Sequence, residues 1–326
     1  MHNIIEATPF PWQHEQWKTL VARYQVQTFP HALLLTGAKG LGKKDFAQNV
    51  AKLLLCESLE YCQPCAACQL LASGNHPDLM QVELGEKEKS IHIDTIREIL
   101  PQCYETAQRG KNKVVLILRA DLLNPAACNA LLKTLEEPER NTYFILVCDS
   151  LYQLPQTLRS RCQLLRFYAQ NFPQTRDWLK AQVDANADID AALYLTQGAP
   201  LEALHWLKEK RLENYQQIWQ DAVELVVKKA EPISIAEKWQ KLPVEVLLHA
   251  LHWLWMLGLH NNASQLSEDP SMHVLHQSRQ LLRQKKSRYQ LGLDYKILLD
   301  FRKLVYQHAS FNLNMQLTAL CVRLVG

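Results

Sequence analysis

The chain has 326 residues, 48% hydrophobic and 21% charged, which is enough for two or three domains with real cores. Its formal net charge of +3 is too near neutral to make it a nucleic-acid binder by bulk charge, so any DNA contact must come from local patches or from an assembly. No signal peptide is expected in His2–Thr8. The most apolar later window, Val246–Leu259, is too short for a bilayer and contains His249 and His252, so a soluble cytoplasmic protein is expected, its nine cysteines reduced.

In chain order, residues 11–27 read as an amphipathic helix with Trp12, Trp17, Leu20, Val21 and Tyr24 on its apolar side. Ala32–Thr36 is a buried strand that runs into Gly37-Ala38-Lys39-Gly40-Leu41-Gly42-Lys43-Lys44. Strand, glycine loop and helix are the context of a P-loop. Gly37, Gly40 and Gly42 would let backbone N–H groups approach phosphates, with Lys43 as a point charge on them. The last position departs from the pattern: a Ser or Thr hydroxyl normally holds Mg²⁺ there, and Lys44 puts a cation in its place. Two readings stay open, a vestigial phosphate cradle and a glycine turn that only packs a helix on a sheet.

Cys62, Cys65 and Cys68 follow at two-residue gaps, with Cys56 five intervening residues upstream. Such gaps turn successive thiolates back on one ion, and four thiolates fill the tetrahedral shell of Zn²⁺. A full shell leaves no place for water, so the expected metal is structural. Its local charge of about −2 disfavours DNA phosphates. The other five cysteines are dispersed and read as small core residues. Asn75–Asp78 is a turn, with His76 a turn residue in preference to a further ligand. Residues 79–84 read as a strand, residues 85–90 as a charged loop, and a helix starts at Ile93. The basic turn from Arg109 to Lys113 reads as solvated, with DNA contact the minority reading.

Residues 114–118 and 143–148 are short branched apolar runs of the kind buried on both faces of a parallel sheet. Between them Asn124 can cap a helix, Pro125 suits its first position and Pro138 stops it. Strand, helix and strand make a right-handed crossover. Leu158-Arg159-Ser160-Arg161-Cys162 then leads into a further strand-like run, residues 163–167. Residues 173–207 read as short helices. From Lys208 the chain is helical to its end, with segments at 215–227, 244–259, 275–283 and 293–306 and a last one from Asn312. His249, His252 and His260 have no acidic or cysteine partner in sequence and read as core or interface residues. Arg279, Arg283, Lys285, Lys286 and Arg288 read as a solvated face.

NALLKTLEEP followed by LRSRC resembles the AAA+ subunits of bacterial DNA polymerase III clamp loaders. The match covers residues 31–167 strongly and the remainder loosely. It implies an α/β P-loop AAA+ domain, a parallel sheet with flanking helices and a zinc module, over residues 1–167 with the module at 56–68. A small helical lid at 168–207 and an all-α C-terminal collar at 208–326 would follow. In that family the arginine of Ser-Arg-Cys reaches into the neighbouring subunit's ATP site, which places Arg161 in trans, and a zinc module stands where Cys56, Cys62, Cys65 and Cys68 lie. The family's metal-binding acidic residues fall on Leu118 and Arg119, its polar sensor on Cys148 and its second sensor near Leu201. The resemblance therefore implies a subunit that lends an arginine without hydrolysing ATP, its hold on ATP itself left open. Its partners would be clamp-loader ATPase subunits and the delta subunit in a heteropentamer, the sliding clamp, and primer-template DNA through the assembly, with no membrane. Two alternatives stand beside it: an active ATPase motor subunit, favoured by Gly42 and Lys43, and a zinc-dependent nucleic-acid-binding protein, favoured by the cysteines.

Overall fold

A computed structural model describes residues 9–57, 65–85, 88–169, 173–184, 187–259, 273–307 and 312–325. It divides into two compact units, Met1–Trp178 with Gly198–Glu202, and Leu179–Gln197 with Ala203–Gly326.

The first unit runs α1 (His14–Gln25), β1 (Ala32–Thr36), α2 (Lys43–Leu55), α3 (Ala66–Ala72), β2 (Leu79–Val82), α4 (Ile93–Tyr104), β3 (Lys113–Ile117), α5 (Pro125–Glu136), β4 (Thr142–Cys148), α6 (Gln156–Arg159) and β5 (Gln163–Arg166). The strands form one parallel sheet in the order β2-β3-β4-β1-β5. Because side chains alternate across a strand, each apolar run feeds two cores. Leu34, Val115, Ile117, Phe144 and Leu146 pack with Ile96 of α4 and with Cys128, Leu131 and Leu135 of α5. Leu33, Leu35, Val114, Leu116, Ile145 and Val147 pack with Leu20 of α1 and with Phe46, Val50 and Leu54 of α2. This two-sided burial explains why the strands read as unbroken apolar runs. The order also sets β1 between β4 and β5, so the glycine loop leaves the carboxyl end of an interior strand, where α/β sheets hold ligands.

Local chemistry shifts several boundaries. Pro11–Gln13 forms a 3-10 turn before α1 begins. β2 ends at Val82, its last partner being Ile117. β3 starts at Lys113, whose buried ammonium donates to the carbonyls of Gln102 and Glu105 near the end of α4. The basic turn is therefore partly structural: Lys113 is buried, and the Asp78 carboxylate accepts from the N–H groups of Gln108 and Arg109 at 2.7 and 3.0 Å. Asn124 caps α5 as expected, its side chain accepting from Ala127 N–H at 2.7 Å.

Helices α7 (Pro173–Lys180), α8 (Ile189–Leu195) and α9 (Pro200–Lys208) follow, with α7 and α9 each divided between the two units. The second unit continues with α10 (Arg211–Val226), α11 (Pro232–Trp239), α12 (Val244–Leu259), α13 (His273–Lys285), α14 (Arg288–Gln307) and α15 (Leu313–Val325). Its core is rich in tryptophan, with Trp219, Trp239 and Trp255 all buried. Trp219 Nε1 donates to Ala250 O at 2.9 Å and Trp239 Nε1 to Asp221 at 3.2 Å, so these two indoles are buried with partners. His249 and His252 meet the hydroxyls of Tyr215 and Tyr295 at 2.8 and 2.9 Å, as core histidines do, and His260 lies outside the described residues. The basic segment is not simply a solvated face. Arg279 and Arg283 donate to the carbonyls of Leu257 and Gly258 at the end of α12, at 2.8 and 3.0 Å, where a helix terminus favours cations. Lys286 forms a buried ion pair with Asp294 at 2.7 Å and also donates to Leu324 O.

Candidate functional site

The glycine loop is shaped by close contacts. A Cβ on Gly37, whose φ is +152°, would stand 2.3 Å from the carbonyl oxygen of Phe167, and one on Gly40, φ +83°, would stand 2.7 Å from the Cβ of Glu202. Gly40 O accepts from Leu201 N–H at 3.0 Å, which sets Leu201, the expected second-sensor position, directly against the loop. On its other side the loop meets the segment before α1. Gln13, fully buried, donates to the carbonyls of Leu41 and Gly42 at 2.8 and 2.9 Å, and Trp12 Nε1 donates to Leu41 O at 3.1 Å. Phe10 stacks on Trp12 with ring centres 4.8 Å apart, and both meet Trp178 edge-on.

Lys43 opens α2 but turns inward. Its ammonium, 4% exposed, donates to Gly37 O and Ala38 O at 2.7 Å each and pairs with Asp149 at 2.7 Å. Asp149 follows directly on Cys148 at the end of β4 and also pairs with Arg119 at 3.6 Å, which in turn reaches Asp121 at 3.3 Å. Arg119 takes a left-handed backbone, φ 63°, so the chain turns off the sheet where a metal-binding acid would be wanted. Lys39 pairs with Glu202 at 3.6 Å, and Lys44 points to Glu83, the residue just past β2. Each lysine of the loop thus has a carboxylate of the same chain, an arrangement that competes with a phosphate. Burial pushes the Cys148 thiol up; a hydrogen bond with Thr36 and the Lys43 cation oppose it, and the carboxylates of Asp121 and Asp149 add to it. Asp149, Glu83 and Gln13 had not been singled out from the sequence. The signal available for Asp149 was a carboxylate at the carboxyl end of a strand beside the loop.

Arg161 stands just after α6, and its side chain is 29% exposed. Its Nε donates to Glu136 Oε1 at 2.7 Å, its Nη2 donates to the same oxygen, and its Nη1 donates to Thr157 O at 2.6 Å. Glu136 is the last residue of α5 and belongs to the LLKTLEEP run. It too had passed unnoticed in the sequence, where 25 residues separate the partners.

Three of the four expected cysteine ligands converge. Cys56 caps the end of α2, Cys65 begins α3 as its N-cap, and Cys68 lies in the first turn of α3. Their sulfurs all lie within 4.8 Å of one another, Cys56 to Cys65 at 4.0 Å and Cys56 to Cys68 at 3.8 Å. Thiolates placed tetrahedrally at a Zn–S distance of about 2.3 Å stand about 3.8 Å apart, so the donor set fits this ion. Cys65 Sγ also accepts from Cys68 N–H at 3.4 Å, an outer contact that orients a ligand. Burial, and then the neighbouring sulfurs, raise the Cys68 pKa. Cys62 lies outside the described residues.

An all-parallel sheet, a glycine loop at the carboxyl end of an interior strand and a following helical region define an α/β P-loop protein of the AAA+ class. Residues 12–171 match the family model described as DNA polymerase III, delta subunit. The chain is 35% identical over 257 residues to DNA polymerase III subunit delta' of Pseudomonas aeruginosa PAO1, covering 77% of this chain and 76% of that one. It is 36% identical over 199 residues to subunit delta' of Escherichia coli K12, covering 60% of each. It is also 26% identical over 370 aligned positions to DNA polymerase III subunit gamma of Buchnera aphidicola, covering 95% of each. The chain belongs to the DNA polymerase III delta' subunit family. Among the described residues, no helix is long and apolar enough to cross a membrane.

Proposed function

We propose that this protein is a non-hydrolysing stator subunit of a bacterial replicative clamp loader, acting in the cytoplasm. It would assist ATP-dependent loading of the sliding clamp onto primed DNA. Its partners would be ATPase subunits and a delta subunit in a heteropentamer, held together by the helical region that follows residue 207. The division into residues 1–167, 168–207 and 208–326 belongs to the same reading.

The observation that carries the proposal is the occupied phosphate cradle. Phosphoryl transfer needs a lysine aimed at phosphate and acidic residues that hold Mg²⁺. Here Lys43 is bound to Gly37 O, Ala38 O and Asp149, and the strand end offers Leu118 and Arg119. Arg161 lies on the surface and is the residue assigned to the neighbouring subunit's ATP site. A finger of this kind is worth on the order of 10³ to 10⁵ in rate to the site it completes. Cys56, Cys65 and Cys68, with Cys62, would hold a structural Zn²⁺, which when bound ties the end of α2 to the start of α3.

The test is nucleotide binding and hydrolysis by the purified chain, with and without Mg²⁺, beside Lys43→Ala. No turnover is expected. Mg²⁺-dependent turnover lost in the mutant would overturn the reading and make this a motor subunit, the alternative to which the full-length similarity to a gamma subunit points. Zinc content is measured on the same preparation, with about one ion per chain expected.

A further inference from the structure

The contacts of Arg161 carry more than its assignment. A guanidinium has five N–H donors, and three of those of Arg161 are engaged within the chain. Nε and one N–H of Nη2 face Glu136, and one N–H of Nη1 faces Thr157 O. Among the described residues, one N–H of each terminal nitrogen is left for a ligand, and a guanidinium offers such donors readily to phosphate oxygens.

Both anchors stand on elements held by the sheet core. Glu136 follows Leu135, and Thr157 precedes Leu158, and these two leucines are buried in the same cluster. A long side chain on a surface segment would otherwise sample many rotamers and lose that freedom on engaging a ligand. The pair is half-exposed, so the charge it removes from the guanidinium is small compared with the orientation it supplies.

We propose that Glu136 is a positioning residue for Arg161: it holds the guanidinium side-on, so that the finger meets the neighbouring subunit's nucleotide already oriented. This rests on the reading of Arg161 given above. Because the oriented finger acts on charge that develops in the transition state, Glu136 changes kcat and leaves KM for ATP nearly unchanged.

The experiment measures steady-state ATP hydrolysis by the reconstituted clamp-loader assembly, with clamp and primed DNA present, carrying this chain as wild type, Glu136→Ala, Glu136→Gln or Arg161→Ala. Glu136→Ala is expected to lower kcat about tenfold, the factor that corresponds to about 1.4 kcal/mol. Glu136→Gln keeps an acceptor oxygen at the same reach and is expected to stay within about threefold of wild type. Unchanged or raised kcat in Glu136→Ala, with Arg161→Ala defective, would overturn the positioning role and leave the finger standing. Unchanged kcat in Arg161→Ala would overturn the finger itself, and with it this inference. The free chain supplies a second readout: the Arg161 Nε–H resonance, found by its loss in Arg161→Ala, is expected ordered in wild type and Glu136→Gln and mobile in Glu136→Ala. A mobile resonance in wild type overturns the proposal whatever the kinetics.

Discussion

At the scale of single residues, the question is what holds Lys43. Three oxygens meet its ammonium, and of these only Asp149 carries charge. Asp149→Asn should therefore free the cation for an external phosphate. Titration calorimetry with ADP is expected to show affinity at least tenfold above wild type, still without turnover. The same change leaves a nearly buried ammonium with carbonyl partners only, so a loss of about 2 kcal/mol is expected in urea unfolding, below the 3–5 kcal/mol typical of a fully buried pair because Asp149 is partly solvated. Two histidines set a pH dependence. Burial lowers the pKa of His76, against the pull of Asp78, and burial likewise lowers that of His252. Below the unfolded value of about 6.5 the unfolded chain takes up protons that the folded chain refuses, so stability falls as pH drops through that value. Urea midpoints between pH 8 and 5 should show this fall, and His252→Gln should flatten part of it.

At the scale of elements, Gly37 belongs to the join between β1 and the loop that begins α2. Gly37→Ala forces a Cβ onto the carbonyl of Phe167, just past β5, and a destabilisation of about 1–3 kcal/mol is expected in thermal unfolding. Most of this architecture was legible beforehand. The strands at 32–36, 114–118 and 143–148 announced themselves as apolar runs because both faces are buried, and Asn124, Pro125 and Pro138 bounded α5 by local chemistry. Helix α3 was not foreseen, since its short AACQLLA run was read only for its cysteines. The glycine loop was visible as a pattern. Its occupation by Lys43 was not, because Asp149 lies more than a hundred residues away and no local rule couples them. The Arg161–Glu136 pair escaped for the same reason, whereas the cysteine spacing is local and the convergence of Cys56, Cys65 and Cys68 followed from it.

At the scale of the whole molecule, near-neutral charge and internal pairing act together. Arg279, Arg283 and Lys286, the densest basic run, are engaged with helix-end carbonyls and Asp294. The isolated chain is accordingly expected to bind primed DNA weakly, with a shallow salt dependence in fluorescence anisotropy between 50 and 200 mM salt. A slope corresponding to six or more phosphates would contradict this. Lys286 and Asp294, 9% and 8% exposed, join α14 to the segment after α13, and Leu324 O brings α15 to the same lysine. Asp294→Ala is expected to cost about 3 kcal/mol and to lower the melting temperature of the second unit. The glycine loop carries a consequence for ancestry. Phe167, Glu202 and Gln13 crowd it from three directions, so larger residues at 37 or 40 would be rejected by packing alone. A lineage that had ceased to use nucleotide here would still inherit those glycines, and the motif in such a descendant records steric necessity long after its chemistry has lapsed.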